Sequence, residues 1–255
     1  MSRFRNLEFE GPEKRPEQST QAGLKDAGFY YEEALRQFEA GRFESALRNY
    51  AKVLEHNSRH SAAWLGQVQS LIELGESKEA RLWADKALEV FPRDPDLLAS
   101  KAVALARSGD YQGAISYSDA SMEVKGNTPF VWLSRGDVLL SRDEKKAEYC
   151  FDKGLAGQNW FQHWMAARTH LFYRQFARAL KYAQQALSMD GSRAVVWLDL
   201  ARAQGGLGLI SQATQSLEQA RQLDPESALP DRLLAELPGQ GLILRLLDRA
   251  RQFFK

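Results

Sequence analysis

Four histidines and one cysteine are the residues of this sequence that most often bind metals or attack substrates. His163 and His170 are separated by roughly 10 Å along a helix axis, which is too far for one zinc ion to bind both. His56 and His60 flank a predicted helix end and do not share a helical face. With a single cysteine, no set of Cys and His ligands for zinc can be assembled. The sequence therefore predicts no metal site.

Nucleophilic catalysis needs a nucleophile, a base and an orienting group in one cleft. Cys150 lies between Tyr149 and Phe151, where the sequence favours burial over reactivity. The glycines of segment 205–208 resemble a phosphate loop superficially, but no Lys-Ser/Thr pair follows them, so they are explained as a turn. We therefore expect a protein that is not an enzyme and that uses no cofactor.

Basic and aromatic residues are concentrated between residues 160 and 193. This segment has five basic residues, against Asp190 as its single acidic residue. Arginine and aromatic side chains are the types enriched at interface hot spots, so the segment favours binding of a partner. The basic residues are Arg168, Arg174, Arg178, Lys181 and Arg193, and the aromatic residues include Trp160, Phe161, Trp164, Phe172, Tyr173 and Phe176.

The element that must hold these residues is a repeat of about 34 residues. Six alanines recur at spacings of 34, 34, 33, 32 and 34 residues, and a glycine precedes four of them. Each interval holds two amphipathic stretches of about 14 residues with an apolar period near 3.6, which predicts pairs of helices. The alanines are Ala46, Ala80, Ala114, Ala147, Ala179 and Ala213, and the glycines are Gly41, Gly75, Gly109 and Gly208.

A second series of small residues falls on the first helix of each predicted pair, where the two helices must approach closely. These residues are Ala34, Val68, Ala102, Gly136, Ala167 and Ala201. Two units carry a nearly complete motif, with Trp64, Leu71, Gly75, Ala80 and Pro92 in one and Trp197, Leu200, Gly208, Ala213 and Pro225 in the other. The motif resembles that of the tetratricopeptide repeat family. This resemblance implies an all-α, right-handed superhelical solenoid of six helix-turn-helix repeats with a C-terminal capping helix.

The predicted domain organisation follows from the register of this motif. The six repeats are placed at 27–60, 61–94, 95–128, 129–159, 160–193 and 194–227. Residues 1–26 form a polar N-terminal extension, and residues 228–255 form a C-terminal cap that covers the last repeat, as terminal repeats require. The fifth repeat departs from the pattern, because Arg174 stands where the turn glycine is usual.

In the tetratricopeptide repeat family, the first helix of each repeat lines a concave face on which partners bind. By this resemblance, we predict that a partner segment, acidic and partly aromatic, binds in the concave groove of repeats 4–6, and that Arg168 and Arg202 select its negative charge. In the alternative interpretation, the aromatic residues pack neighbouring helices and an arginine pairs with Asp137 or Asp199. The predicted partner-binding residues are Phe130, Leu133, Asp137, Phe161, Trp164, Arg168, Leu171, Phe172, Leu198 and Arg202.

Two other functions are left open: an RNA-binding helical solenoid, and a regulatory subunit that controls a separate enzyme. Nucleic acid is disfavoured, because only one repeat is basic and a continuous track for phosphates is missing. A net charge of +1 gives no general attraction to nucleic acid or to an anionic membrane. No signal peptide or membrane helix is predicted. We therefore expect a cytoplasmic adaptor or scaffold that binds another protein, with its oligomeric state open.

Overall fold

The structure is a computed structural model that describes residues 26–124, 127–140, 142 and 144–237. These residues form thirteen helices and contain no strand, so the predicted all-α fold is confirmed. The chain divides into two compact units, Met1–Cys150 and Phe151–Lys255, with the division inside α8. The predicted N-terminal extension, up to residue 25, and residues 238–255 of the predicted cap lie outside the described residues.

The helices follow one another as alternating members of pairs. Those of the first unit are α1 (Ala27–Glu39), α2 (Phe43–His56), α3 (Ser61–Glu73), α4 (Ser77–Val90), α5 (Pro95–Arg107), α6 (Tyr111–Glu123), α7 (Pro129–Leu140) and the beginning of α8 (Glu144–Gly154). Those of the second unit are the end of α8, α9 (Trp160–Phe172), α10 (Phe176–Met189), α11 (Ala194–Gly206), α12 (Ile210–Leu223) and α13 (Leu229–Glu236). The predicted repeat boundaries stay a prediction.

Short polar side chains fix where several helices begin. Asp26 accepts a hydrogen bond from the backbone N–H of Phe29 at 2.8 Å, which caps α1. Asp94, Asp110 and Asn159 cap α5, α6 and α9 in the same way. Each such cap satisfies a backbone donor that the helix leaves unpaired, and contributes about 1 kcal/mol.

Within each unit, a helix packs on its neighbours in the chain, and first helices also contact one another. In the first unit, α3 contacts α5 and α5 contacts α7, while in the second unit α9 contacts α11. This layering brings side chains about one repeat apart onto the same surface, which is how a repeat protein builds a binding face.

The two series of small residues lie at the centre of the helix pairs. Ala102 and Ala114 belong to one buried cluster in the first unit, and Ala201 and Ala213 belong to another in the second. All twelve members of the two series are buried, so no larger side chain fits there without moving two helices apart.

α13 covers part of the last helix pair. Its residues Leu229, Leu233 and Leu234 pack against the cluster formed by α11 and α12, together with Leu237. A Cβ atom at Gly205 would lie 2.6 Å from Leu237, so a glycine at this position lets the chain after α13 approach α11 closely. The predicted cap, residues 228–255, stays a prediction as a whole.

The turns inside the helix pairs use left-handed backbone. Gly41, Gly75, Gly109 and Gly208 have φ values between 72° and 91°. Arg174 adopts the same conformation with φ 57°. Its N–H donates to the Leu171 carbonyl and the next N–H donates to the His170 carbonyl, the same pair of hydrogen bonds that closes the turn at Gly208. An L side chain in this region costs about 1–2 kcal/mol, so the turn at Arg174 is strained.

Replacing Arg174 by glycine tests this strain. Because Gly fits the left-handed region but has more freedom in the unfolded chain, we expect Arg174→Gly to raise the free energy of unfolding by about 0.5–1 kcal/mol. Urea denaturation followed by circular dichroism measures the change. The reverse substitution, Gly208→Arg, serves as the matched control and is expected to lower stability; a loss of stability in Arg174→Gly would contradict the interpretation.

Candidate functional site

The predicted partner-binding residues lie on three helices that belong to two units. Phe130, Leu133 and Asp137 are on α7 in the first unit. The other seven are on α9 and α11 in the second unit, where the two helices contact each other. Each set is therefore described within its own unit.

Asp199 is the centre of the set on α9 and α11. Its side chain is fully buried. Trp164 Nε1 donates to Asp199 Oδ2 at 2.7 Å, and Arg168 Nη1 donates to the same oxygen at 3.0 Å. Arg202 Nη1 donates to the other oxygen, Oδ1. One buried carboxylate thus orients an indole and a guanidinium from α9 and a second guanidinium from its own helix.

The electrostatics of this cluster keep Asp199 ionised. Burial alone would raise the pKa of Asp199, but the charges of Arg168 and Arg202 and the hydrogen bonds from Trp164 and Arg202 outweigh burial and hold its pKa below the ordinary value. Two guanidinium groups therefore contact this one carboxylate. The Arg202 side chain is 37% exposed and that of Arg168 is 14% exposed, so the positive charge reaches the surface mainly through Arg202.

Aromatic rings surround the buried end of the cluster. Trp160 stacks on Trp164 with ring centroids 6.1 Å apart, and Phe161 meets Trp164 edge to face at 5.6 Å. The Arg193 guanidinium lies 4.2 Å from the Trp160 ring centroid and pairs with Asp190 at 2.6 Å. These contacts fix the position of α9 residues around the Trp164 ring, in keeping with the attraction between aromatic faces and cations.

The seven predicted residues on α9 and α11 differ in exposure. Trp164 and Leu198 are buried, and Leu198 belongs to the core cluster with Leu217 and Leu237. Phe172 is 45% exposed, whereas Phe161, Leu171, Arg168 and Arg202 are partly buried. Partner contact stays a prediction for all seven, but the burial of Trp164 and Leu198 favours the alternative in which they pack neighbouring helices.

On α7, Asp137 belongs to a buried ion cluster. Arg107 of α5 donates to Asp137 Oδ2 from Nη2 at 2.7 Å and from Nε at 3.2 Å. The same guanidinium lies 3.6 Å from Glu73 of α3. The alternative interpretation, in which arginines pair with Asp137 and Asp199, describes both clusters. Leu133 is buried and Phe130 is partly buried.

Sequence analysis missed the roles of Glu73 and Arg107. The signal that would have found them is their spacing, because they are 34 residues apart and thus occupy the same position in consecutive repeats. Opposite charges at one repeat position predict an ion pair between first helices. The burial of Trp164 had no comparable signal in the sequence, because the sequence analysis did not pair its indole nitrogen with a buried acceptor.

Two of the histidines, His163 and His170, and the cysteine are buried in the fold. His163 Nδ1 lies 3.0 Å from the Asn159 carbonyl, and His170 Nδ1 lies 3.0 Å from Gln175 Oε1. Burial lowers the pKa of His170 to about 4, and burial raises the pKa of Cys150. Among the described residues, no group of three His, Cys, Asp or Glu side chains is placed to hold a metal ion. No helix of the described part is both long and apolar enough to cross a membrane.

The fold and this surface define a helical repeat protein that presents charged and aromatic side chains on adjacent first helices. Models of the tetratricopeptide repeat match residues 31–96 and 173–237, which together make up half of the chain. The chain belongs to the tetratricopeptide repeat family, whose members commonly mediate interactions between proteins. No curated protein matches the sequence.

Solved structures with similar folds share little sequence with this chain. A tetratricopeptide repeat protein from Parabacteroides merdae is 16% identical, with a TM-score of 0.52 over 84% of each chain. A monomeric mutant of IFIT1 solved with Gppp-AAAA is 15% identical, with a TM-score of 0.57 over 81% of this chain and 52% of that one.

The APC/C hetero-tetramer Cut9–Hcn1 is 15% identical, with a TM-score of 0.50 over 85% of this chain. The present chain spans 44% of the length of that chain. At these identities, the likeness shows the fold alone.

The buried imidazole of His170 predicts a dependence of stability on pH. Its ring stacks on Tyr182 at 5.2 Å and contacts Phe151 at 4.8 Å, with Arg178 and Lys181 also opposing a positive charge there. The unfolded chain gains a proton near pH 6.5 while the folded chain stays neutral down to about pH 4. The stabilisation is therefore complete above pH 6.5 and falls by about 1.4 kcal/mol per pH unit below it.

Urea denaturation at pH values from 7.5 to 4.5 measures this loss. His170→Phe keeps an aromatic ring in place but removes one titrating group. It is expected to reduce the slope of the free energy of unfolding against pH by the contribution of one proton. His56→Gln, at an exposed histidine, is the control and should leave the dependence as in the wild type. An unchanged slope in His170→Phe would show that His170 does not carry the effect.

Removing the charge of Asp199 is expected to destabilise the second unit. Asp199→Asn leaves Arg168 and Trp164 beside a neutral acceptor, which should lower the free energy of unfolding by about 2–4 kcal/mol. Thermal or urea denaturation measures the change. Asp231→Asn is the matched control, because its carboxylate is 70% exposed where it pairs with Arg221, and it should cost less than about 0.5 kcal/mol. Equal effects of the two substitutions would contradict a special role for Asp199.

Proposed function

We propose that this chain is a non-catalytic adaptor or scaffold that binds a segment of another protein on the surface formed by α9 and α11. The observation that carries the proposal is the convergence of Arg168 and Arg202 on buried Asp199. The segment presents a carboxylate to these arginines, chiefly to the exposed part of Arg202. Arginine suits this role because its planar guanidinium can pair with two carboxylate oxygens at once.

Preorganisation supports this assignment. The hydrogen bonds to Asp199 hold both guanidinium groups before a partner arrives, so less side-chain freedom is lost on binding. The positive charge of Arg202, whose side chain is 37% exposed, also favours an incoming anion over a cation. The arrangement therefore combines a fixed geometry with a positive charge, which are the requirements for selective recognition of an acidic side chain or chain terminus.

Apolar groups near the arginines supply a second part of the recognition. Phe172 is 45% exposed, and Phe161 and Leu171 are partly buried on the same helix. Aromatic side chains at a surface contribute strongly to affinity where a partner excludes water from them. We infer a partner segment that is acidic and partly aromatic. The share of the concave groove assigned to Phe130, Leu133 and Asp137 stays a prediction.

The reactive side chains of the chain support a binding function over catalysis. The Cys150 thiol is buried and its raised pKa disfavours the nucleophilic thiolate. His170 is also buried, and one of its ring nitrogens is engaged with Gln175. Neither group lies at an open surface beside a second catalytic partner.

RNA is the rival ligand, because one solved structure with a similar fold contains Gppp-AAAA. In this chain, however, Arg193 pairs with Asp190, and Arg168 and Arg202 pair with Asp199. These carboxylates offset the positive potential that a phosphate backbone requires. The pairing favours a protein segment with a few well-placed carboxylates.

Affinity capture from native lysate tests the proposal with an Arg202→Glu variant. Because the new carboxylate lies beside buried Asp199, circular dichroism and urea denaturation check that the variant is folded under the conditions of capture. In the folded variant, capture of the partner should weaken by about tenfold or more. Arg221→Glu, on α12, is the matched control and should capture the partner as the wild type does. Nuclease treatment before capture separates protein from RNA.

Three outcomes distinguish the interpretations. A protein recovered with the wild type and the Arg221→Glu variant, but lost with Arg202→Glu, supports the α9–α11 surface. An unchanged set of proteins contradicts it. Recovery of nuclease-sensitive RNA in place of protein supports RNA binding. Recovery of an enzyme whose activity is altered in the complex identifies the chain as a regulatory subunit.

A further inference from the structure

The two turns inside the helix pairs of the second unit expose apolar side chains. Phe172, at the end of α9, is 45% exposed, and Leu207 and Leu209, between α11 and α12, are 42% and 37% exposed. The first unit has charged residues at the positions that correspond to Leu209, which are Arg42, Glu76 and Asp110. An apolar residue at this position is therefore not a requirement of the repeat.

The two turns lie side by side on one edge of the second unit. A Cβ atom at Gly206, at the end of α11, would lie 2.5 Å from the ring of Phe176, at the beginning of α10, so the two turns pack against each other. Their exposed residues can therefore meet one partner at the same time. We call this surface the turn edge, and it consists of Phe172, Arg174, Leu207 and Leu209.

Two residues of the turn edge oppose the local preferences of the backbone. Leu209 is the N-cap of α12 and makes no capping hydrogen bond, although Ser, Thr, Asp and Asn stabilise this position. At the equivalent position of the first unit, Asp110 accepts a hydrogen bond from the Gly113 N–H. Arg174 has an exposed side chain on strained, left-handed backbone. Residues that break local rules concentrate at functional sites, which indicates a role for this edge beyond the fold.

The charge around the turn edge is positive. Residues 160–189 and 200–217, which contain α9, α10, most of α11 and the first half of α12, have five basic residues and no acidic one. Arg174, Arg178 and Lys181 are the basic residues in and directly after the first of the two turns. Acidic residues of the unit follow the opposite ends of α10 and α12, and they are Asp190, Asp224 and Glu226.

The remaining acidic side chains of the neighbouring helices offset little of this charge. Asp199 is buried between two arginines, and Glu218 and Asp231 both pair with Arg221. α8 has three acidic and three basic residues, so it adds no net charge. Exposed Glu236, at the end of α13, offsets one positive charge. The turn edge therefore keeps an excess of positive charge beside its apolar residues.

The beginnings of α10 and α12 add to this positive potential. Both helices begin at the turn edge, and neither has an acidic residue in its first turn. In the first unit, by contrast, α2 and α4 have Glu44 and Glu79 there. The unpaired backbone N–H groups of a helix N-terminus carry a partial positive charge, which acidic side chains in the first turn would otherwise offset.

We propose that the turn edge binds the surface of an anionic phospholipid bilayer. Apolar side chains on adjacent turns can enter the boundary between headgroups and acyl chains, while the basic residues beside them attract anionic headgroups. Peripheral binding depends on both contributions, and the turn edge supplies both. Its residues lie on neighbouring turns and not along a groove, which suits a flat surface better than a peptide segment.

This binding depends on local charge, because the net charge of +1 gives the whole chain no general attraction to a membrane. The turn edge shares Phe172 with the surface proposed for a protein partner on α9 and α11. The substitutions that test the turn edge leave Arg168 and Arg202 unchanged, so the two proposals can fail independently.

Sedimentation with vesicles tests the proposal on the full chain. One set of vesicles contains phosphatidylcholine and phosphatidylserine in a two-to-one ratio, and the other contains phosphatidylcholine alone. We expect the fraction of bound protein to be several-fold higher with the anionic vesicles. Added salt should lower this fraction, because it screens the attraction between the basic residues and the headgroups.

Two substitutions separate binding from stability. Leu209→Asp supplies a capping side chain to α12, and Arg174→Gly relieves the strained turn, so both variants should be at least as stable in urea as the wild type. Their affinity for the anionic vesicles should nevertheless fall, by about tenfold for Leu209→Asp and about fivefold for Arg174→Gly. Loss of binding in these variants could not then be explained by unfolding.

The matched control for the double variant Leu209→Asp/Arg174→Gly is Ala40→Asp/Arg42→Gly. It makes the same change in net charge at two exposed residues in the first turn of the first unit. We expect this control to bind the anionic vesicles as the wild type does.

A dye that responds to its environment reports which residues enter the bilayer. Attached to Leu207→Cys, the dye should shift its emission to the blue when anionic vesicles are added. Attached to Leu223→Cys, at the opposite end of α12 and 43% exposed in the native chain, it should show no shift. The natural Cys150 is 3% exposed and should react slowly with the dye.

Three results would overturn the proposal: no binding of the wild type to anionic vesicles, equal binding by the double variant and its control, or no shift from the dye at Leu207. Two further results would assign the turn edge to another partner and also overturn it. A protein captured by the wild type but not by the double variant, without vesicle binding, would identify a protein partner. Self-association that the double variant abolishes in analytical ultracentrifugation would identify a second copy of this chain.

Discussion

The close approach of two helices at small residues determines the geometry of everything else in this protein. Alanines such as Ala46, Ala114 and Ala213 face the first helix of their own pair and are fully buried. Because the side chains at the crossing have little volume, the helix axes come near each other, and larger apolar residues on either side fill the layers above and below. A larger side chain there would separate the helices and shift every surface residue that depends on them.

This packing places first helices side by side, so that residues far apart in sequence form charged clusters. In the first unit, Arg107 lies between Glu73 and Asp137 on three successive first helices. In the second, Asp199 lies between Arg168 and Arg202. The two clusters are opposite in composition, since one places an arginine between two carboxylates and the other places a carboxylate between two arginines. A repeat scaffold can therefore hold clusters of opposite composition between its first helices without changing its backbone.

The all-α fold, the helix pairs and the position of the turn at Arg174 could be predicted from sequence, because spacing and turn chemistry are local properties. The burial of Trp164 could not be, since it depends on Asp199 from the next repeat supplying an acceptor for the indole nitrogen. Sequence periodicity identifies which face of a helix is apolar, but not how well the neighbouring faces fill the space.

The shared acceptor at Asp199 has a consequence for genetic analysis of the site. A substitution of Asp199 would release Arg202 and would also disturb the core. Its effect on binding would therefore resemble the loss of a partner-contacting residue, although the Asp199 carboxylate is fully buried. Its effects should be non-additive with those at Arg168, because both residues belong to one network. Second-site suppression would then be expected among the arginines: a neutral residue at one of them partly relieves the imbalance that loss of the carboxylate creates.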